Sequence, residues 1–153
     1  MQARRRRPDR ESGASAIELV LWTPVLFLVM FAAVQFGLDL FAQHVAGSAA
    51  QEGARQARDS AYADQNGWQA QSTSYAETWA QSLIGGLIVS NSLSSTAVPG
   101  TAIDFGAAQH PEVGVTISFQ VVSVIPFVPL NVSASSQGPV ECFYNDAGQC
   151  VGN

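Results

Sequence analysis

Residues 19–34 read LVLWTPVLFLVMFAAV, sixteen positions without a charge, and the apolar character continues past Gln35 through Phe36, Gly37 and Leu38. A helix rises about 1.5 Å per residue, so this run comes close to the roughly 20 residues that cross about 30 Å of hydrocarbon. Its left flank is basic: Arg4, Arg5, Arg6, Arg7 and Arg10 precede it, and only Arg55 and Arg58 follow. Arginines crowded on one side of an apolar helix stay in the cytoplasm, which directs the rest of the chain outward. Pro24, inside the run, bends the helix or frees a carbonyl, and helices in lipid tolerate it.

Composition agrees with a membrane protein. Charged residues make up 12% and apolar residues 47%, against about a quarter charged in ordinary soluble domains. Without residues 1–13, two Arg face ten Asp and Glu, leaving a formal charge of −8. So acidic a remainder is not built to hold nucleic acid. The 153 residues allow one modest domain beyond the apolar segment.

Glu18 stands at the head of the run. A carboxylate at the centre of a membrane helix costs about 2.5–3.5 kcal/mol, and less near the interface. Three readings of the N-terminus compete. A secretory signal peptide would use AGSAA, residues 46–50, as its small-residue cleavage site, but that site lies well beyond the apolar run with Asp39 between them. An uncleaved signal anchor would present a β-rich head that binds a partner or a cell-wall polymer. It leaves Glu18 as a carboxylate reaching for the headgroups. The third is a cytoplasmic leader cut off just ahead of the apolar helix.

The third reading accounts for every odd feature together. A basic leader ending in Gly13, then Ala14, Ser15, Ala16, Ile17 and Glu18, then an apolar helix, resembles the processing site of type IV pilin-like proteins. More closely, GASAIELVLWTPVLFLVMFAAVQFGLDLFAQHVAGSAAQEGAR, residues 13–55, resembles the TadE-like family of tight-adherence pilus pseudopilins. The matching features are small residues before the Glu, Pro24 after residues 19–23, the pair Phe36 and Gly37, and the closing Glu52, Gly53, Ala54 and Arg55. The resemblance implies cleavage by a prepilin peptidase between Gly13 and Ala14, and partnership with the membrane, other pilin-like subunits and a pilus assembly platform. It implies no cofactor. The cut would free an α-amine on Ala14 whose ordinary pKa lies near about 8, so that it is largely protonated at neutral pH. Glu18 lies four residues on, one turn away on the same face. Its carboxylate can neutralise that amine or a neighbouring subunit's, and pairing offsets much of the cost of holding two charges in a low dielectric.

Beyond the bilayer the helical pattern persists. Val34, Leu38, Phe41 and Val45 recur at helical spacing, as do the small residues Ala46, Ala50, Gly53 and Ala57. A continuous helix over residues 14–59 would extend roughly 68 Å. Its small stripe can pack against neighbouring subunits or beneath the chain's own head. Gly37, Gly47 and Gly53 each cost about 1 kcal/mol relative to Ala, which makes them points of local melting or bending.

The rest reads as an α+β head over residues 60–153. Residues 60–74 are a turn-rich connector punctuated by Asn66 and Gly67. A second helix is expected over residues 74–87, with Tyr75, Trp79, Leu83 and Leu87 as its core-facing stripe. SNSLSSTAVPG, residues 90–100, reads as a loop. Val113, Val115, Ile117, Phe119 and Val121 then alternate with smaller or polar residues, as a strand with one buried face does. Val128, Leu130, Val132 and Ala134 continue the theme after the prolines Pro126 and Pro129, which exclude a central ladder there. Shorter strands are expected at residues 102–105 and 139–144. Together these give a small C-terminal antiparallel sheet against which the helices pack, preceded by one long and one shorter helix.

Cys142 and Cys150 enclose turn formers, and outside the cytoplasm a disulfide between them is expected. Neither His44 nor His110 adds a ligand cluster, so no metal site is read. The chain has no nucleophile elbow, zinc-protease, phosphate-loop or dinucleotide motif, and both histidines read as solvated. The expectation is a non-enzymatic assembly protein: a basic leader over residues 1–13, a transmembrane and stalk helix over 14–59, and an extracytoplasmic head.

Overall fold

The computed structural model describes residues 11–101, 103, 111–125, 128–141, 143–144 and 150–151. The chain begins with one helix, α1 (Glu11–Ser60), and Pro24 lies inside it. The helix runs without interruption through Gly37, Gly47 and Gly53, and it begins slightly before the expected residue 14. A turn leads into α2 (Trp68–Ile84), which tightens into a short 3-10 turn, Gly85–Leu87. Three strands follow, β1 (Ser94–Val98), β2 (Glu112–Val121) and β3 (Leu130–Pro139), then a small hairpin of β4 (Phe143–Tyr144) and β5 (Cys150–Val151). The three long strands form an antiparallel sheet in the order β1-β2-β3. This is the α+β arrangement read from the sequence.

The alternation in β2 does what its period requires. Val113, Val115, Ile117, Phe119 and Val121 are buried, and the register pairs Ile117 with Ala134, Phe119 with Val132 and Val121 with Leu130. Paired residues of an antiparallel ladder share a face, so one apolar surface faces the helices. The opposite face is polar: the Thr116 hydroxyl donates to Ser135 Oγ at 2.9 Å, and Gln120 Nε2 donates to Asn131 Oδ1 at 3.0 Å.

Against that apolar surface lies a seam of small side chains from α1. Ala42, Val45, Ala46, Ala49 and Ala50 join Ala76, Ala80 and Ile84 of α2 in the main core, and Ala57 and Ala61 close the far end with Trp68 and Val113. The small stripe of α1 therefore packs beneath the chain's own head. Of the larger stripe only Val45 is buried, whereas Val34 and Phe41 are exposed. α1 closely approaches both α2 and β2 at Gly53, where a Cβ would fall 2.8 Å from Ala76 Cβ and 3.2 Å from Val115 Cβ.

That closeness overturns the expected face of α2. The helix buries Trp68, Ser72, Ala76, Ala80 and Ile84, while Tyr75, Trp79, Leu83 and Leu87 are exposed. Both stripes recur every fourth residue, but a partner lined with Ala and Gly leaves room only for the small one. The helix also begins at Trp68, inside the segment expected to be a connector. Asp64 starts it: its carboxylate accepts from Gly67 N at 2.9 Å and its carbonyl from Trp68 N at 3.1 Å.

Two strand expectations change as well. Residues 94–98, expected within a loop, form the edge strand β1, because Ser94, Thr96 and Val98 find partners in Ser118, Thr116 and Gly114. Ile103 lies outside any strand, and the other residues of the expected strand at 102–105 lie outside the described residues. Of the strand expected at 139–144, Pro139 closes β3, Phe143 and Tyr144 form β4, and Cys142 lies outside the described residues.

Candidate membrane-spanning and assembly helix

Residues 16–34 of α1 are almost wholly exposed. Ile17, Leu19, Val20, Leu21, Trp22 and Leu26 are among a continuous set of exposed large apolar residues extending to Leu40 and Phe41. This is the one helix among the described residues long and apolar enough to cross a membrane. Exposure of so much apolar surface to water would be strongly unfavourable at about 25 cal/mol per Å², and lipid removes that cost. Phe27 and Phe31, one turn apart, stack with centroids 6.1 Å apart and form part of this outer surface.

Within it, Glu18 is exposed on the first turns of the described helix. The backbone is helical at Gly13 and Ala14, which places Glu18 one turn beyond Ala14. Pro24 has no N–H for the Val20 carbonyl. Beside that gap the Thr23 hydroxyl donates to the Leu19 carbonyl at 2.6 Å, a local bond of the kind that accompanies helix bending.

The boundary between the apolar segment and the head is marked by Gln35, through which the apolar run continues in the sequence. It is 7% exposed. Its Oε1 accepts from Val124 N at 2.7 Å and from Ile125 N at 3.3 Å, tying the loop between β2 and β3 to α1. Its Nε2 is buried without a hydrogen-bond partner among the described residues. A second tie lies at the far end. The Arg58 carbonyl accepts from Glu141 N at 3.2 Å, its guanidinium lies 3.6 Å from the Glu141 carboxylate, and it covers Gly138. The head is thus clasped to one helix at two points about 35 Å apart along its axis. A lone Gln in an apolar run is the only sequence signal that would have pointed to the first clasp.

Of the remaining site residues, Cys142 and His110 lie outside the described residues. Cys150 opens β5, where its backbone pairs with Tyr144. His44 is exposed on α1. Among the described residues no three His, Cys, Asp or Glu side chains gather as metal ligands would.

A membrane-length helix that continues as the spine of a small α+β head is consistent with a pilin-like arrangement. Residues 13–55 match the model of the TadE-like protein family. No curated protein and no solved structure matches the chain. The family match covers the apolar half of α1 and its alanine seam and stops at Arg55, so α2, the sheet and the hairpin lie beyond it.

Proposed function

We propose that this chain is a pilin-like minor subunit of a tight-adherence pilus and secretion machine. It inserts through α1 with its basic leader in the cytoplasm and its head outside. A prepilin peptidase removes residues 1–13, and the subunit is then assembled by packing of the spanning helix against other pilin-like subunits on the assembly platform. The role is assembly, without catalysis. The observation that carries this reading is where the family match begins: at Gly13, leaving out the arginine-rich leader and opening at the proposed scissile bond. Glu18 supplies the chemistry of docking, because the amine freed on Ala14 and a carboxylate one turn away are opposite charges entering the same low-dielectric layer. Pro24 gives the helix a bend within the bilayer. Outside the cytoplasm Cys142 and Cys150 are joined, closing the C-terminal hairpin.

The burial of Ala46, Ala49 and Ala50 within α1 favours this reading over signal-peptide removal, since a cut there would take Ala42 and Val45 out of the core. The mass of the mature chain is the test. A start at Ala14 supports the proposal, an intact Met1 or Gln2 means a permanent anchor whose head binds elsewhere, and a start near Ala49 means a secreted head.

A further inference from the structure

The end of the head nearest the apolar helix is itself apolar. In the loop between β2 and β3, Val122, Val124 and Val128 are 49%, 43% and 46% exposed. The 3-10 turn contributes Leu87, whose carbonyl accepts from Val122 N at 2.9 Å, and Leu83 is exposed one turn earlier on α2. These side chains belong to separate segments that the fold gathers at one end of the molecule. Their height on α1 is fixed, because Val124 and Ile125 hydrogen-bond to Gln35.

The helix sets that height against the bilayer. Starting at Ile17, the roughly 20 residues needed to cross about 30 Å of hydrocarbon end near Phe36, beside Gln35. One turn further, Asp39 accepts from Gln43 Nε2 at 2.8 Å, and a charged carboxylate marks the headgroup layer. The loop therefore hangs at the outer edge of the hydrocarbon.

Charge is partitioned to match. No Asp, Glu, Lys or Arg occurs between Glu77 and Asp104 or between Glu112 and Glu141, the stretches that supply this end of the head. The charges of the described head gather towards the other end, where Glu141 meets Arg58 and Glu112 opens β2. Nothing charged has to leave water for this surface to touch lipid.

We infer that Val122, Val124 and Val128, between β2 and β3, together with Leu83 and Leu87, form a lipid-facing foot that rests in the outer interfacial layer of the membrane and fixes the depth and rotation of the head. The inference rests on the reading of α1 as membrane-spanning and adds the outer leaflet as a partner of the head. Interfacial apolar surface binds bilayers in proportion to its buried area, and here the adjoining helix has already brought it to the membrane.

The test uses the full isotope-labelled chain, one copy per phosphatidylcholine nanodisc, observed through its backbone amides. Phosphatidylcholine spin-labelled near the headgroup should erase the signals of Leu87, Val122, Val124 and Val128, which a soluble gadolinium chelate should leave intact. Ser133 and Ser135, on the polar face of the sheet, should show the reverse. Loss of the valine signals to the chelate and their survival beside the spin-labelled lipid would overturn the inference. Protection that arises only when two copies share a disc would overturn it as well and assign the surface to a second copy. Residues 20–30 unaffected by lipid labelled near its chain ends would show that α1 does not span, a distinct failure that takes the foot with it.

Discussion

Replacing Gly53 with Ala should destabilise the head, although Ala is the better helix former. The added methyl would stand 2.8 Å from Ala76 Cβ, 3.1 Å from the Ser72 carbonyl oxygen and 3.2 Å from Val115 Cβ. Carbon atoms rest at about 3.5–4.0 Å, so the closest contact is short by roughly 0.7 Å or more. None of the three neighbours can rotate away, because one is backbone and two are Cβ atoms fixed to it. Relief requires α1 and α2 to separate along the seam. Overpacking of this kind costs about 1–3 kcal/mol, against a helix-propensity gain of about 1 kcal/mol at most. Subtracting the full gain leaves a net loss of about 0–2 kcal/mol, with a midpoint near about 1 kcal/mol that lowers Tm by several degrees in a domain of this size, at roughly 4–8 °C per kcal/mol. Gly47 supplies the control: it lies in the same helix with nothing within 4 Å of its added Cβ, so Gly47→Ala should raise Tm. Both variants are read by thermal melting of the full chain in detergent, following near-ultraviolet circular dichroism from the buried Trp68. If Gly53→Ala melts as high as Gly47→Ala, the close approach of the helices is wrong.

Three further outcomes follow from the same structure. Glu18→Ala should leave leader removal intact, as judged by the mass of the mature chain, while recovery of the subunit in sheared pili falls; undiminished recovery removes the amine-pairing mechanism. Gln35→Leu leaves the Val124 and Ile125 amides without their acceptor, at about 1–3 kcal/mol for each that stays dry. Hydrogen exchange at those two amides should accelerate selectively, and unchanged protection would show that the clasp does not hold the loop. Intact mass before and after reduction, with thiol alkylation, should reveal one bond between Cys142 and Cys150, and Cys150→Ser should cost a little under about 3 kcal/mol; a chain alkylated without reduction refutes it.

The long helix and the central strands are legible because their periods are local and sustained. The charge-free run sets α1, and five apolar residues in alternation set β2. The face of α2 is not legible, since its two four-residue stripes have equal periodicity and the choice belongs to the partner. A seam of Ala and Gly admits Ala76 and Ala80 and turns Trp79 outward. The start of α2 is masked by the polar run after Trp68, and β1 by a Ser-rich sequence that becomes a strand only beside β2. At the candidate site, Gly13, Ala14 and Glu18 stand out as a local pattern. Gln35 does not, because its partners lie 89 and 90 residues away.

The alanine seam has a mechanical corollary. From Ala42 outward α2 and the sheet cover one face of α1 and leave Gln43, His44, Gln51 and Arg55 exposed, so the bare apolar surface of the helix lies mainly on its earlier half. Under the proposed function, joining or leaving an assembly through that half would leave the folded cap intact. On that proposal the rod and its cap would travel as one piece, coupled through the apolar half.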